Sequence, residues 1–361
     1  MYTEYLDLLK SMIRIPSTSF NEDEVAICIC KFLQSKGICH ELVQGNIVAT
    51  NSRYDTGKKT LALIAHMDTV PANSGYTRDP HDPGNDSDTI WGLGANDDGG
   101  SVVAMTAAFC HFYNEDMPIN LMLVISREEE CSGPDGTKYL FASDGFFSKS
   151  EKYNYPEWAI VGEPTGMRAA TSERGLLVID GEAHGVSGHA GRGEGINALY
   201  IALEDIQTLR NHVFSRHSPI MGDVRLNVTQ IQAGRAHNVV PELCTFVVDI
   251  RPTEMYSNPE ILQDLQAKCK STLKARNLLN RSSATKPGSP LIATASRLGV
   301  ETFSSPTTSD WMRISCDAVK MGPGDSSRSH KADEYIKHAE ITQAIDKYIE
   351  FIENFYGNTL E

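Results

Sequence analysis

Apolar residues recur along this chain at two spacings, and each predicts a different element. Tyr2, Tyr5, Leu6, Leu9, Met12 and Ile13 lie on one face of a helix that Pro16 ends. A second helix is predicted from Asn21, with Glu24 three positions on as in a capping box, Val25, Cys28, Ile29, Phe32 and Leu33 as its stripe, and Gly37 closing it. Short apolar runs come next: "NIVA", "LALIA", "LMLVI", "WAIV" and, much later, "AVKMG". "LALIA" and "LMLVI" are apolar at every position, as in parallel strands covered on both faces. A helical stretch from Ser101 to Tyr113 separates those two. This alternation predicts an α/β fold, a mixed and largely parallel sheet flanked by helices.

The middle of the chain has another pattern. "GLLVIDGEA" reads as a strand, and a helix from Asn197 carries Leu199, Leu203, Ile206, Leu209 and Val213 on one side. Two alternating strands come after it, "VRLNVTQI" and "CTFVVDIR", the second turning Cys244, Phe246, Val248 and Ile250 the same way. A further helix begins at Asn258–Pro259, with cap and first-turn proline in order. Strand–helix–strand–strand–helix is most of a split βαβ unit, a compact α+β module of ferredoxin-like type. "NRSSATKPGSP" reads as the linker out of it, after which the sheet pattern resumes. A helix with Ile341, Ile345, Tyr348, Ile352 and Phe355 on one face ends the chain. The expected division is therefore a discontinuous domain, residues 1–172 and 286–361, with residues 173–285 inserted.

Composition narrows the class. A chain of 361 residues, 40% hydrophobic and 22% charged, suits two globular domains. The first residues lack a basic start and a long apolar core, and no apolar run approaches the roughly 20 residues of a membrane span, so a cytoplasmic protein without a membrane partner is expected. The net charge of −14 argues against nucleic acid. Eight scattered cysteines suit reduced thiols. Cys28 and Cys30, two apart on a helix, point to different sides and make no metal clip.

Chemistry collects after the buried strands. "LALIA" is followed by His66 and Asp68, "LMLVI" by Glu129 and Glu130 within "SREEE", "WAIV" by Glu163, and "AVKMG" by a loop ending at His330. The carboxyl end of the strands is where open α/β sheets place their sites. In "IWGLGANDDGGS" the third position of a dinucleotide-type G-x-G-x-x-G is Asp97 with Asp98 beside it, and two carboxylates repel phosphate, so the glycines read as turn-makers that deliver acids to a metal. The donor set His66, Asp97, Glu130, Glu163 and His330, without thiolate, suits Zn²⁺, with Co²⁺ or Mn²⁺ as substitutes. Three carboxylates match two divalent ions, and Asp97 is the natural bridge between them. Asp68, two residues beyond His66 on an extended segment, orients the imidazole. Glu129 is the spare acid beside a ligand. A metal ion lowers the pKa of its water from 15.7 to roughly 7, and a glutamate beside it acts as general base.

Taken together and in order, "LIAHMDTVP", "GLGANDDGG", "SREEE", "VGEPT" and "GPGDSSRSHKADEY" resemble the zinc-dependent aminoacylase and deacylase (metallopeptidase) family. It includes acetylornithine deacetylase, succinyl-diaminopimelate desuccinylase, carboxypeptidase G-type enzymes and tripeptide aminopeptidase. The resemblance implies a zinc-exopeptidase-like catalytic domain and an inserted lid and dimerisation domain. It implies that His66, Asp97 and Glu163 hold one ion and that Asp97, Glu130 and His330 hold the other. It implies a cis peptide between Asp97 and Asp98 and a homodimer in which His189 of "GVSGHAG" reaches across to the reacting carbonyl. Asn238 in "GRAHNVVP" and Arg251 in "VVDIR" match substrate-binding positions, and Thr308 is a further substrate-binding candidate. Two departures stand out: Gly99 follows the acidic pair where a lysine is common, and "TTSDWM" replaces a glycine-flanked "GTSD".

The substrate expected is a small N-acyl amino acid such as N-acetylornithine, as in amino-acid and arginine biosynthesis. Arg251, with Arg174 or Arg192, would pair with its α-carboxylate. N-succinyl amino acids and N-acetylcitrulline are alternatives. A di-zinc aminopeptidase or dipeptidase would use the same ions but needs a pocket for a free amine.

Overall fold

The computed structural model describes residues 2–358. The chain divides into two compact units: Met1–Thr171 with Thr285–Phe303 and Ser309–Glu361, and Ser172–Ala284 with Ser304–Thr308.

In the first unit four strands lie side by side and parallel, in the order Asn120–Ser126, Thr60–His66, Trp158–Val161 and Asp317–Lys320. Asn46–Thr50 and His40–Val43 extend the sheet antiparallel on one side, and Ala169–Glu173 pairs antiparallel with Asp317–Lys320 on the other. Every residue of Thr60–His66 and Asn120–Ser126 is buried, as their unbroken apolar runs predict for strands covered on both faces. Helix Gly100–Phe112 is buried on nearly every side and packs with helices Thr3–Ile13 and His338–Asn358. The predicted stripe of the last helix is its buried face: Ile341, Ile345, Tyr348, Ile352 and Phe355 are at most 2% exposed.

The second helix differs from expectation. It spans Asp23–Ser35, and Asn21 does not cap it. The preceding Glu22 is 1% exposed, and its carboxylate accepts from the N–H groups of Phe20 (3.0 Å) and Glu128 (3.1 Å) and from Arg127 (2.8 Å). That long-range clamp fixes where the helix starts, which no local capping pattern shows.

The second unit runs Leu177–His184, helix Ala198–Arg210, Arg225–Ala233, Leu243–Arg251, helix Asn258–Gln266 and Thr272–Ala275, with an antiparallel sheet in which Leu243–Arg251 and Leu177–His184 are central. This is a split βαβ arrangement. Cys244, Phe246, Val248 and Ile250 are buried, as their alternation predicts. Two local expectations hold only in part. Helix Asn258–Gln266 is capped by Ser257 in a box with Glu260, because Asn258 turns inward to donate to the carbonyls of Leu176, Leu278 and Asn280. Helix Ala198–Arg210 buries Ala198, Ala202, Asp205 and Leu209, while Leu203 is 48% exposed and Val213, beyond the helix end, 83%. Leu209 is buried and Leu199 and Ile206 pack half-buried against the same core, and Asp205 lies among them because it accepts from the backbone N–H groups of Lys270 and Ser271.

Candidate metal centre

The four parallel strands are neighbours, so their carboxyl ends form one edge, and the polar residues after them meet there. His66 ends its strand. Its Nδ1 lies 3.1 Å from the carbonyl oxygen of Asp68 and 3.4 Å from the Asp68 carboxylate. With Nδ1–H donating to these oxygens, Nε2 is left with its lone pair, 3.3 Å from Asp97 Oδ1. Burial, the strongest single influence, lowers the basicity of the His66 ring, but Asp68, Asp97 and Glu129 together outweigh it and raise its pKa. The Asp68 carboxylate is fully buried and also accepts from the backbone N–H groups of Glu129 (3.0 Å) and Glu130 (3.1 Å) and from the Ser19 hydroxyl (2.7 Å).

Asp97 and Asp98 lie in the turn Ala95–Gly99, and the peptide between them is cis. Gly94, at φ +75°, supplies the left-handed residue that starts this turn. The turn runs into helix Gly100–Phe112 without room to spare: a Cβ on Gly99 would lie 2.5 Å from the carbonyl oxygen of Gly94. His330 Nε2 lies 2.9 Å from Glu130 Oε2 and 3.8 Å from Asp97 Oδ2. Ligand atoms of His66, Asp97 and Glu130 lie within 4.8 Å of one another, and so do those of His66, Glu129 and Glu163. All five expected donors and Glu129 therefore converge, with Glu129 in the same cluster as His66 and Glu163.

The electrostatics suit added positive charge. Burial raises the pKa of Glu129 well above the carboxylate range; His66 offsets part of this, while Glu163, Asp310 and Glu130 add to it. Glu163 is raised by burial and by Asp97, despite Lys320. Asp98 is pushed up to about 8, chiefly by burial, and its Oδ1 has no hydrogen-bond partner. Carboxylates held this close stay ionised together only with cations among them. Imidazole and carboxylate donors without thiolate fit divalent ions of the zinc, manganese or cobalt type.

Sequence reasoning missed two acids that hold this edge. Asp310 is 5% exposed and accepts from Ser126 Oγ (2.6 Å) and from Thr137 Oγ1. One carboxylate thus closes both ends of the loop that carries Glu129 and Glu130; burial raises it to about 6. Glu334, 2% exposed, accepts from the N–H groups of Gly94, Asn96 and Asp97 and is raised to about 7, first by burial and then by Asp97. The available signals were an acid beside Trp311 and Met312 and an acid just before strand Tyr335–Lys337.

The remaining expected site residues belong to the second unit. His189 and Asn238 sit side by side on a two-stranded ribbon: His189 pairs with Val239, and Ala190 N–H donates to the Asn238 carbonyl at 3.0 Å. His189 Nδ1 accepts from Gly191 N–H (3.1 Å), leaving Nε2–H as the exposed donor. Arg251 makes two bonds to Asp249, at 2.9 and 3.1 Å. Thr308 is half-buried at the end of its segment. Arg174 does not match its expected role as a substrate cation. It is 5% exposed, and its guanidinium donates to the carbonyls of Asp223 (2.7 Å), Arg251 (3.3 Å) and Met221. Those carbonyls need its donors, so the side chain is structural.

A mixed α/β sheet that gathers imidazoles and acids at the ends of its parallel strands sets out a donor group for divalent ions. Residues 62–354 match the model of the peptidase family M20/M25/M40, and the chain belongs to that family, whose members hydrolyse amide bonds. It is 25% identical to an acetylornithine deacetylase of Proteus mirabilis over 97% of this chain and 96% of that protein. It is 26% identical to a succinyl-diaminopimelate desuccinylase of Cereibacter sphaeroides, covering 97% and 98%. Among solved structures, it resembles a dinuclear metal-binding M20 peptidase of Bacillus subtilis, with TM-score 0.67 and 15% identity over 98% of this chain and 97% of that one.

Proposed function

We propose that the protein is a two-metal amidohydrolase that removes the acetyl group from an N-acetylated amino acid of the ornithine type. The observation that carries this reading is the convergence of His66, Asp97, Glu129, Glu130, Glu163 and His330 on one sheet edge. The similarity to acetylornithine deacetylase over nearly the full length supports the substrate class. His66, Asp97 and Glu163 would hold one ion, and Asp97, Glu130 and His330 the other. Zinc is the ion this donor set favours. Bound divalent ions supply Lewis acidity and an ionised water at neutral pH.

The chain's own residues do the rest. Asp68 fixes the His66 ring and, through the Glu129 and Glu130 amides, the loop that carries base and ligand. Glu129 takes a proton from the attacking water and returns it to the departing amine. His189 Nε2–H stabilises the oxyanion from a partner subunit, a contribution typical of about 10²–10³ in rate. Asn238 and the outer face of Arg251 hold the substrate's carboxylate.

The homodimer forms through the second unit, where Tyr200 (65% exposed) and Leu203 (48%) face outward on helix Ala198–Arg210, and Arg225–Ala233 is an edge strand. The compartment is the cytoplasm. All eight cysteines are free, as in a reducing environment, and no helix of the described residues is long and apolar enough to cross a membrane.

The test is release of acetate or succinate from N-acetyl- and N-succinyl-ornithine, -citrulline and -diaminopimelate by zinc-loaded protein, beside a panel of free dipeptides. N-acetylornithine is expected to be the best substrate. Cleavage of the dipeptides alone would reject the deacylase reading and leave a peptidase.

A further inference from the structure

The loop that carries Asp97 and the loop that carries His330 brace each other in both directions, through residues outside the donor set. Glu334 Oε1 accepts from the backbone N–H groups of Asn96 (2.8 Å) and Asp97 (2.9 Å), and its Oε2 accepts from Gly94 (3.2 Å). The Glu334 carbonyl accepts from Gly92 N–H at 2.8 Å. In return, Asn96 Nδ2 donates to the carbonyl of Asp325 (3.1 Å), and its Oδ1 accepts from Asp325 N–H (2.9 Å). Glu334 is 2% exposed and Asn96 fully buried. The approach is close: a Cβ on Gly324 would lie 2.3 Å from Asn96 Oδ1.

The two ligands depend unequally on this brace. Asp97 has other anchors: its carboxylate meets His66, and its turn is closed by the Gly99 N–H bond to the Gly94 carbonyl at 2.9 Å. The His330 side chain is 55% exposed and its backbone sits at φ +59°, so its imidazole is held chiefly by Glu130, 2.9 Å away. Its carbonyl accepts a long bond from Asn73 Nδ2, at 3.3 Å. The backbone of His330 is therefore placed by its loop, which Glu334 and Asn96 tie to the Asp97 turn, while Asp333 ties it to Thr77 and Arg328 to Glu340.

We propose that Glu334 and Asn96 are positioning residues that fix the separation of Asp97 and His330, and so hold the ion on Asp97, Glu130 and His330 selectively over the ion on His66. This rests on the two-metal reading of the site. Loss of such an outer partner typically weakens metal binding by about 10–100-fold.

The experiment titrates metal-free protein with Zn²⁺ against a competing chelator, with the absorption spectrum of the Co²⁺-loaded form as an independent readout. Wild type is expected to take up two ions. Glu334→Ala is expected to keep one near wild-type affinity and bind the other about 10–100-fold more weakly, with one cobalt signal lost first. Asn96→Ala should act in the same direction. Glu334→Gln keeps an oxygen for Asn96 and Asp97 but turns an NH₂ toward Gly94, so its loss should be intermediate. If Glu334→Ala does not fold, Asn96→Ala and Glu334→Gln decide the question. Equal weakening of both ions, or no weakening of either, would overturn the proposal. Wild type that takes up fewer than two ions would instead sink the two-metal reading itself, which separates the two failures.

Discussion

The main sheets of the two units are built on opposite plans. In the first unit the central strands are buried on both faces, from Thr60 to His66 and from Asn120 to Ser126, so only their ends are open to chemistry. In the second unit Leu243–Arg251 buries alternate residues and shows the others to the outside. Charge is handled differently as well. Around the strand ends, Asp68, Asp310 and Glu334 are buried and accept from backbone amides or hydroxyls. On the second unit, Asp180 and Arg276 meet at 2.7 Å with both side chains about half exposed. The first arrangement holds atoms at fixed separations inside a buried, acid-rich edge. The second leaves a face free and contributes little energy per ion pair.

The largest effect that tests this contrast is at Glu129. Glu129→Ala should cost about 10²–10⁴ in kcat, the usual worth of a general base, with both metals retained in elemental analysis. Turnover near wild type in the metal-replete variant would take the role from Glu129. Next is Phe246, 1% exposed in the second unit's core. Phe246→Ala should cost about 3–5 kcal/mol in urea unfolding of that unit and leave metal stoichiometry unchanged. Loss of metal as well would show that the two plans are not independent. The smallest effect is at Asp180. Its pKa is lowered, first by hydrogen bonding from Arg276, so the pair contributes above the ordinary carboxylate range and its contribution fades as pH falls through the lowered value. Because the pair is screened by solvent, Asp180→Asn should cost well under about 1 kcal/mol near neutral pH and less in acid. A cost that grew as pH fell would break the contrast from the other side.

The legible parts of the sequence were those in which neighbours along the chain carry the signal. Unbroken apolar runs marked the parallel strands, and a ligand-type residue close behind each marked the site edge, since the end of a strand fixes where the next few residues lie. The second unit's alternation at Cys244, Phe246, Val248 and Ile250 was legible for the same reason. Glu22, Asp310 and Glu334 were not. Each serves groups far away in sequence: the Asp97 amide for Glu334 and the Glu128 amide for Glu22 are of a kind every residue but proline has, and the Ser126 and Thr137 hydroxyls that Asp310 holds look like any others in sequence. Arg174 misled in the converse way. A cation near the expected site looks free in sequence, but carbonyls close around it in the fold.

Gly99 follows the acidic pair, and the space beside it limits what this turn can carry. With Leu9 Cδ1 at 2.6 Å as well as the Gly94 oxygen, the packing has closed over the position where a longer side chain would emerge. A side chain there would require Leu9 and the turn to yield first, so position 99 admits nothing larger than glycine without rebuilding the turn that holds the acidic pair.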